Sequence, residues 1–399
     1  MPYQPTEWIL TLESRRLLSD ASAVGSPNSL LADMNGDGKA DLIAMTRLAA
    51  APDVVVTIAL GQGDGSFARS DHVIIRANTG FALGVGDLDG DGAVDVAVAG
   101  DNPLSAAPIN GTFVVTALGD GAGKFKRPTI TDPIDAPLLV TTFVPEIRRA
   151  RAVTVIDVDG NGFGDVSVLG AARGNTAANA EIPSIVVHWD PTLPTFAPVP
   201  PTVINFNSLT IVNQLHTGDL DGDGRVDLVA TNRAPMPPSP LAVVRYDLVT
   251  VRFPLDHSAV VHKGGNLLNL PPSSAPTQNL PVVETFGLGD LDGDTSLDLI
   301  GRRGNTLRYT SYTAGNSLFG SVHTILAANA PAATLGQFRV GDITGDGLDD
   351  VLARARGDNV LATNITRSGG AVAVRWSRVG AVGLLTAEQG VFEPRALLI

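Results

Sequence analysis

Cysteine is absent from all 399 residues, so disulfides and thiol chemistry are both excluded. Aromatic residues make up only 5% of the chain, too few for stacked platforms to be its dominant theme. Positive charge is scarce too: 28 Lys and Arg stand against 41 Asp and Glu, a net charge of −13. That balance argues against nucleic acid or an anionic membrane as partner. No run of 18 apolar residues occurs, so no transmembrane segment is expected. Helical periodicity is nowhere sustained enough for a helical domain. Catalytic signatures are missing as well. There is no G-x-S-x-G elbow, Walker loop or dinucleotide fingerprint, and His72, His188, His216, His257, His262 and His323 form no H-E-x-x-H pair. Scattered histidines of this kind are expected to be structural.

What the chain has in abundance is one acidic nonapeptide, repeated six times. The copies are DMNGDGKAD from Asp33, DLDGDGAVD from Asp87, DVDGNGFGD from Asp157, DLDGDGRVD from Asp219, DLDGDTSLD from Asp290 and DITGDGLDD from Asp342. Their first, third, fifth and ninth places carry side-chain oxygen in every copy. These are Asp33, Asn35, Asp37 and Asp41; Asp87, Asp89, Asp91 and Asp95; Asp157, Asp159, Asn161 and Asp165. The later copies hold Asp219, Asp221, Asp223 and Asp227; Asp290, Asp292, Asp294 and Asp298; Asp342, Thr344, Asp346 and Asp350. No regular helix or strand brings that spacing to one point, whereas a loop wound about a hard cation does. Calcium takes six to eight oxygens in flexible geometry. Up to six Ca²⁺ are therefore expected, each held by these side chains and by the backbone carbonyl of the seventh place. The seventh residues are Lys39, Ala93, Phe163, Arg225, Ser296 and Leu348, unrelated in chemistry, as main-chain ligation allows. The four ligand places alone hold 21 of the 41 acidic residues, a clustering that a merely solvated surface does not produce. Thr295 in place of the sixth glycine, and neutral Thr344 at a third place, predict weaker binding in the fifth and sixth copies.

An EF-hand needs a glutamate at the twelfth place and then a helix. Those places here hold Ala44, Val98, Val168, Ala230, Gly301 and Ala353. Each copy instead runs directly into a short apolar segment, from DLIAM at Asp41 to DVLAR at Asp350, which reads as a buried strand. The copies begin at 33, 87, 157, 219, 290 and 342, about 62 residues apart on average. Within each period an aromatic landmark recurs: Phe67 closes the glycine-rich turn GQGDGS and Phe125 closes GDGAGK, with looser equivalents at Phe196, Phe253, Phe319 and Trp376. Segments such as VVVTIAL (54–60), TFVVTAL (112–118), SIVVHW (184–189) and AVVRYDL (242–248) supply further strands. About four strands per unit make a propeller blade, whose radial stacking protects sheet edges. The expectation is an all-β propeller, six blades of four antiparallel strands, or seven if residues 1–27 pair with the tail.

These D-x-D-G-D-G-x-x-D loops, the G-x-G-x-F hairpins at 61–67 and 119–125, and phrases such as FALGVGDLDGDG (81–92) resemble FG-GAP/VCBS-repeat proteins. The integrin α-subunit propellers are that family's best-known members. The resemblance spans residues 28–399 and implies an adhesion, lectin-like or scaffolding module. The reading is thus a non-enzymatic, extracellular or surface-located calcium propeller with a protein or glycan ligand on a ring face. Its alternative is a carbohydrate-recognising or carbohydrate-active propeller. Calcium levels outside cells suit loops of this kind, whose affinities can be as weak as ~10⁻⁴–10⁻³ M.

Residues 1–27 read as a sorting or leader-like segment. They show no ordinary signal peptide, but LESRRLLSD (12–20) resembles a short L-E-x-R-x-L-L-S motif near the start of large surface and secreted bacterial proteins. At the other end, AVGLLTAE (381–388) or VFEPRALLI (391–399) is expected to pair near Ser29–Ala32 and close the ring. Arg356-Gly357-Asp358 reads as hairpin-turn chemistry. Trp8, Trp189 and Trp376 read as packing residues, with Trp189 the better placed for a surface role.

Overall fold

The computed structural model describes residues 29–47, 53–76, 82–101, 112–126, 139–144, 147–157, 161–172, 183–187, 189–190, 195–196, 202–205, 212–218, 227–233, 246–252, 260–263, 286–294, 296–303, 306–313, 318–319, 323–328, 331, 335–355, 358–366 and 371–379. Among them, six sheets of four or five strands succeed one another along the chain. The first is Ser29–Ala32, Asp41–Arg47, Asp53–Gly61 and Phe67–Arg76. The second is Ala82–Gly86, Asp95–Asp101, Thr112–Ala117 and Leu139–Val144. The third is Ile147–Ile156, Asp165–Ala172, Pro183–Val187 and Thr202–Asn205, with a small hairpin of Trp189–Asp190 and Thr195–Phe196 alongside. The fourth is Val212–Gly218, Asp227–Arg233, Tyr246–Arg252 and Val260–Lys263.

In the fifth sheet, Phe286–Gly289, Asp298–Arg303 and Thr306–Thr313 are joined by two short edges, Leu318–Phe319 and His323–Thr324. The sixth comprises Leu335–Gly341, Asp350–Ala355, Asp358–Asn364 and Ala373–Val379, with Leu326–Ala328 added in parallel outside. All other pairings are antiparallel. The first strand of every sheet lies beside the first strand of the next, and that of the sixth lies beside that of the first. The arrangement is a β-propeller, with the first strands innermost. No helix long and apolar enough to cross a membrane occurs among the described residues.

Every second strand begins at a ninth-place aspartate: Asp41, Asp95, Asp165, Asp227, Asp298 and Asp350. The apolar continuations are therefore strands entered straight from the loop, as expected. Their near-continuous hydrophobicity has a geometric cause. Successive side chains of a strand point to opposite faces, and here a neighbouring sheet covers each face. Leu42 and Ala44 pack with Ile343, Leu352 and Leu361 of the sixth sheet. Ile43 and Met45, between them, pack with Leu83, Val96 and Val115 of the second. Comparable cores lie between the second and third sheets, around Leu88, Val114 and Val166, and between the fifth and sixth, around Ile300, Phe338 and Trp376.

The ring seam between sixth and first sheets thus has its own apolar core. Two hydrogen bonds add to it: Ala40 N–H to Asp342 O at 2.6 Å, and Arg339 Nε–H to Ser29 O at 2.6 Å. Ser29–Ala32 is paired in register with Asp41–Ala44. The tail segments expected to pair there, like residues 1–27 and Trp8, lie outside the described residues.

Two expectations need correction. The third strand of the fourth sheet is Tyr246–Arg252, not 242–248. The stretch before Phe253 is therefore strand rather than a glycine-rich turn: DLVTVR alternates polar and apolar residues and contains no glycine to reverse the chain. Asp358 opens a strand paired with Ala355, while Arg356 and Gly357 of the Arg-Gly-Asp tripeptide lie outside the described residues.

Candidate metal centre

Each nonapeptide joins the innermost strand of its sheet to the second, so the loops share one end of the ring. In the five described loops, the first-place carboxylate caps its own loop. Asp33 accepts from Gly36 N–H and Gly38 N–H, both at 2.8 Å. Asp87 accepts from Gly90 at 2.8 Å and Gly92 at 2.9 Å. Asp342 does the same with Gly345 and Gly347 at 2.7 and 2.8 Å. Asp157 accepts from Gly162 at 2.9 Å, and Asp290 from Gly293 at 2.7 Å. Such a fold-back needs left-handed backbone at the fourth and sixth places. Gly36 and Gly38 have φ of 71° and 80°, a region that costs side-chain-bearing residues. Fifth-place oxygens then accept from seventh-place N–H groups: Asp37 from Lys39 at 2.9 Å, Asp91 from Ala93 at 2.9 Å, Asn161 from Phe163 at 2.7 Å, Asp294 from Ser296 at 2.8 Å and Asp346 from Leu348 at 3.0 Å.

The ninth-place aspartates differ from the rest. Asp41, Asp95, Asp165, Asp298 and Asp350 are fully buried. One oxygen reaches back to a second-place N–H: Asp41 to Met34 at 2.8 Å, Asp95 to Leu88 at 2.7 Å, Asp298 to Leu291 at 3.0 Å and Asp350 to Ile343 at 3.1 Å. The other oxygen holds the third strand or the residue just beyond it: Gly61 N–H at 2.8 Å, Gly119 N–H at 2.6 Å, Ser311 Oγ–H and Asn364 N–H at 2.7 Å. Burial pushes Asp95 and Asp298 up to about 7, and Asp41 and Asp350 up to about 6, despite these donors. A divalent cation beside such a carboxylate acts in the opposite sense.

Whether a hard cation fits is answered by an oxygen without a protein partner. Asp89 Oδ1, a third-place atom of loop 2, is buried and accepts no hydrogen bond, while the Thr344 side chain of loop 6 lies against the ninth-place Asp350. Asp87, Asp89 and Asp95 bring carboxylate oxygens within 4.8 Å of one another, and so do Asp290, Asp292 and Asp294. The donor set is all oxygen, as calcium prefers. Of the remaining predicted ligands, Asp159, Asp219, Asp221 and Asp223 lie outside the described residues. Asp227 is placed as the first residue of its strand.

Sequence reasoning missed how the loops join. Eighth-place N–H groups donate to the first-place carbonyl of the preceding loop: Ala40 to Asp342 at 2.6 Å, Gly164 to Asp87 at 2.9 Å and Asp349 to Asp290 at 3.0 Å. Seventh-place side chains lie over the preceding loop's fourth glycine, where an added Cβ at Gly345, Gly90 or Gly293 meets Lys39, Phe163 or Leu348 at 2.9, 2.9 and 3.1 Å. The seventh residues therefore pack through their side chains, beyond any main-chain ligation. Asp349 was missed as well. Its carboxylate accepts from Asp290 N–H at 2.7 Å, and burial, with Asp290 and Asp342 near, pushes it up to about 7. The available signal was an extra carboxylate at the eighth place, found only in the sixth copy. Asp71, buried on the first sheet's outer strand, holds Phe125 N–H at 3.0 Å and so ties that sheet to the second hairpin.

Residues 33–98 match the model of the FG-GAP-like repeat. Together with the propeller arrangement of the sheets, that match supports an FG-GAP/VCBS-type repeat propeller. No curated protein matches it. Among solved structures, a luciferin-regenerating enzyme aligns over 81% of this chain and 80% of its own, at 9% identity and a TM-score of 0.36. The V. cholerae biofilm matrix protein Bap1 aligns over 84% of this chain and 66% of its own, at 10% identity and a TM-score of 0.21. Both likenesses are too loose to carry an argument about activity or partner.

Proposed function

We propose that this chain is a non-enzymatic, calcium-binding β-propeller acting outside the cell or at its surface, where it serves adhesion or scaffolding. The observation that carries the metal assignment is the buried, partnerless third-place oxygen Asp89 Oδ1, inside a loop whose first- and ninth-place carboxylates are already oriented by backbone N–H groups. The ligands would be the side chains of the first, third, fifth and ninth places with the seventh carbonyl. Bound there, calcium supplies the double positive charge that three or four crowded carboxylates need. The chain's own residues do the rest. Among the described loops, first-place carboxylates curl five, ninth-place carboxylates pin four to the third strand or the turn after it, and eighth-place N–H groups link three to the preceding loop.

The same belt supports a binding role. It presents an acidic rim at one end of a ring braced by sheet-to-sheet cores, a rigid platform for a protein or glycan ligand. Trp376 lends a lectin-like reading no support, being 5% exposed within the fifth–sixth core. Metal analysis of chelator-stripped, calcium-reloaded protein should find at least four Ca²⁺ per chain. Fewer than four would refute the multi-site assignment. A glycan array probed with and without calcium separates the binding alternatives, a calcium-dependent signal marking a glycan ligand and its absence a protein one.

A further inference from the structure

Lys126 follows the aromatic that closes the second glycine-rich hairpin, and it is held there firmly. Its N–H donates to Leu118 O at 2.7 Å, while Gly119 and Phe125 form a β-bridge behind it. Gly119 N–H in turn donates to the ninth-place Asp95 at 2.6 Å, so hairpin and loop 2 form one unit. From this anchor the ammonium reaches Asp89 Oδ2 and Asp91 Oδ2, both at 2.6 Å. Those are the third- and fifth-place ligands of loop 2, and Asp89 is the residue whose other oxygen is buried without a partner. The corresponding positions of the other repeats hold Ala68, Ala197, Pro254, Gly320 and Ser377, none of them cationic. Lys39, the lysine of loop 1, bonds a single carboxylate, Asp37, at 3.1 Å.

An exposed lysine–aspartate pair is usually worth little, because water screens it and two long side chains must be ordered. Lys126 is better placed than most: its backbone is fixed, and one ammonium bridges two carboxylates, of which Asp89 is only 21% exposed and Asp91 is 39% exposed. We propose that Lys126 is a tethered cation that competes with calcium for loop 2. In calcium-poor surroundings its ammonium neutralises the third- and fifth-place carboxylates and keeps the loop shaped. Calcium must displace it, so loop 2 fills at higher calcium than loop 1 and the belt loads in steps. The inference rests on the calcium reading given above.

A unit charge held about 5 Å from a doubly charged ion repels it enough, even at the dielectric of water, to weaken binding by an order of magnitude. The experiment is a calcium titration of the chelator-stripped full chain against a chromophoric competitor, with melting curves in EDTA and in saturating calcium. Lys126→Met and Lys126→Gln are compared with wild type, and Lys124→Met, the same charge change on an exposed neighbour, is the control. In Lys126→Met one site should tighten by at least about tenfold. Its melt should fall in EDTA and return to the wild-type value in calcium. Lys126→Gln, which keeps a donor but no charge, should tighten that site equally, and it carries the test should the Met variant fail to fold. Lys124→Met should do neither. Equal losses with and without calcium, or site affinities unchanged from wild type, would overturn the inference while leaving the calcium reading intact. No calcium binding by the wild type would overturn both.

Discussion

Aspartates of one motif divide their work at the level of single residues. Asp91, at the fifth place of loop 2, lies at the loop surface, whereas Asp95, four residues on, is buried and serves two backbone donors. Removing Asp95 leaves Leu88 N–H and Gly119 N–H unpaired, at about 1–3 kcal/mol each. Asp95→Ala should therefore destabilise the protein by several kcal/mol in urea unfolding even with EDTA present. Asp91→Ala should lower stability chiefly in calcium, where it costs a ligand. A similar contrast separates two glycines. At Gly61 an added Cβ would sit 2.4 Å from Ala40 O, a contact with backbone that nothing nearby can relieve, while at Gly36 it meets open space and only the positive φ is strained. Gly36→Ala should cost about 1 kcal/mol. Gly61→Ala should cost more and shift the denaturant midpoint further.

Loops, as elements, carry the pH response. In the metal-free protein Asp95, Asp298 and Asp349 are raised to about 7, and Asp41 and Asp350 to about 6, all mainly by burial. An unfolded chain titrates its aspartates near 4. Between about pH 4 and 7 the native state thus holds more protons than the unfolded one, so stability falls as pH rises. In EDTA the melting temperature should be higher at pH 5 than at pH 8. Saturating calcium should flatten or reverse this trend, because protons then compete with the metal. Melting curves at four pH values in each condition decide it; a metal-free melt that rises from pH 5 to pH 8 would contradict the burial account.

Across the whole molecule, stability depends on closing the ring. Leu352 lies in the seam between sixth and first sheets with Leu42, Ala44 and Ile343, and is fully buried. Leu352→Ala should cost about 2–5 kcal/mol. Because neighbouring sheets share cores, that loss should lower one common transition in calorimetry rather than create an early one. Calcium bound only by the native state adds RT ln(1 + [Ca²⁺]/Kd) per independent site, about 1.4 kcal/mol at ten times Kd. Several loops acting together outweigh any single core residue, so EDTA should lower the melting temperature more than Leu352→Ala does in calcium.

The sequence alone determined the repeat, the turn at each glycine pair, the strand after each ninth aspartate and the oxygen set that suits a hard cation. These are local consequences of φ freedom, alternation and side-chain chemistry within about a dozen residues, so they can be read along one strand of text. The tertiary structure decided the rest, because each remaining contact joins groups from different repeats or different parts of one sheet. Asp41 meets Gly61, twenty residues on; Asp349 meets Asp290 across a sheet boundary; Lys126 meets Asp89 only when a hairpin folds back over its loop. Leu42 and Ile43 look alike in the sequence, yet one faces the sixth sheet and the other the second. Which neighbour each face finds is set by ring closure, a constraint that no single repeat contains.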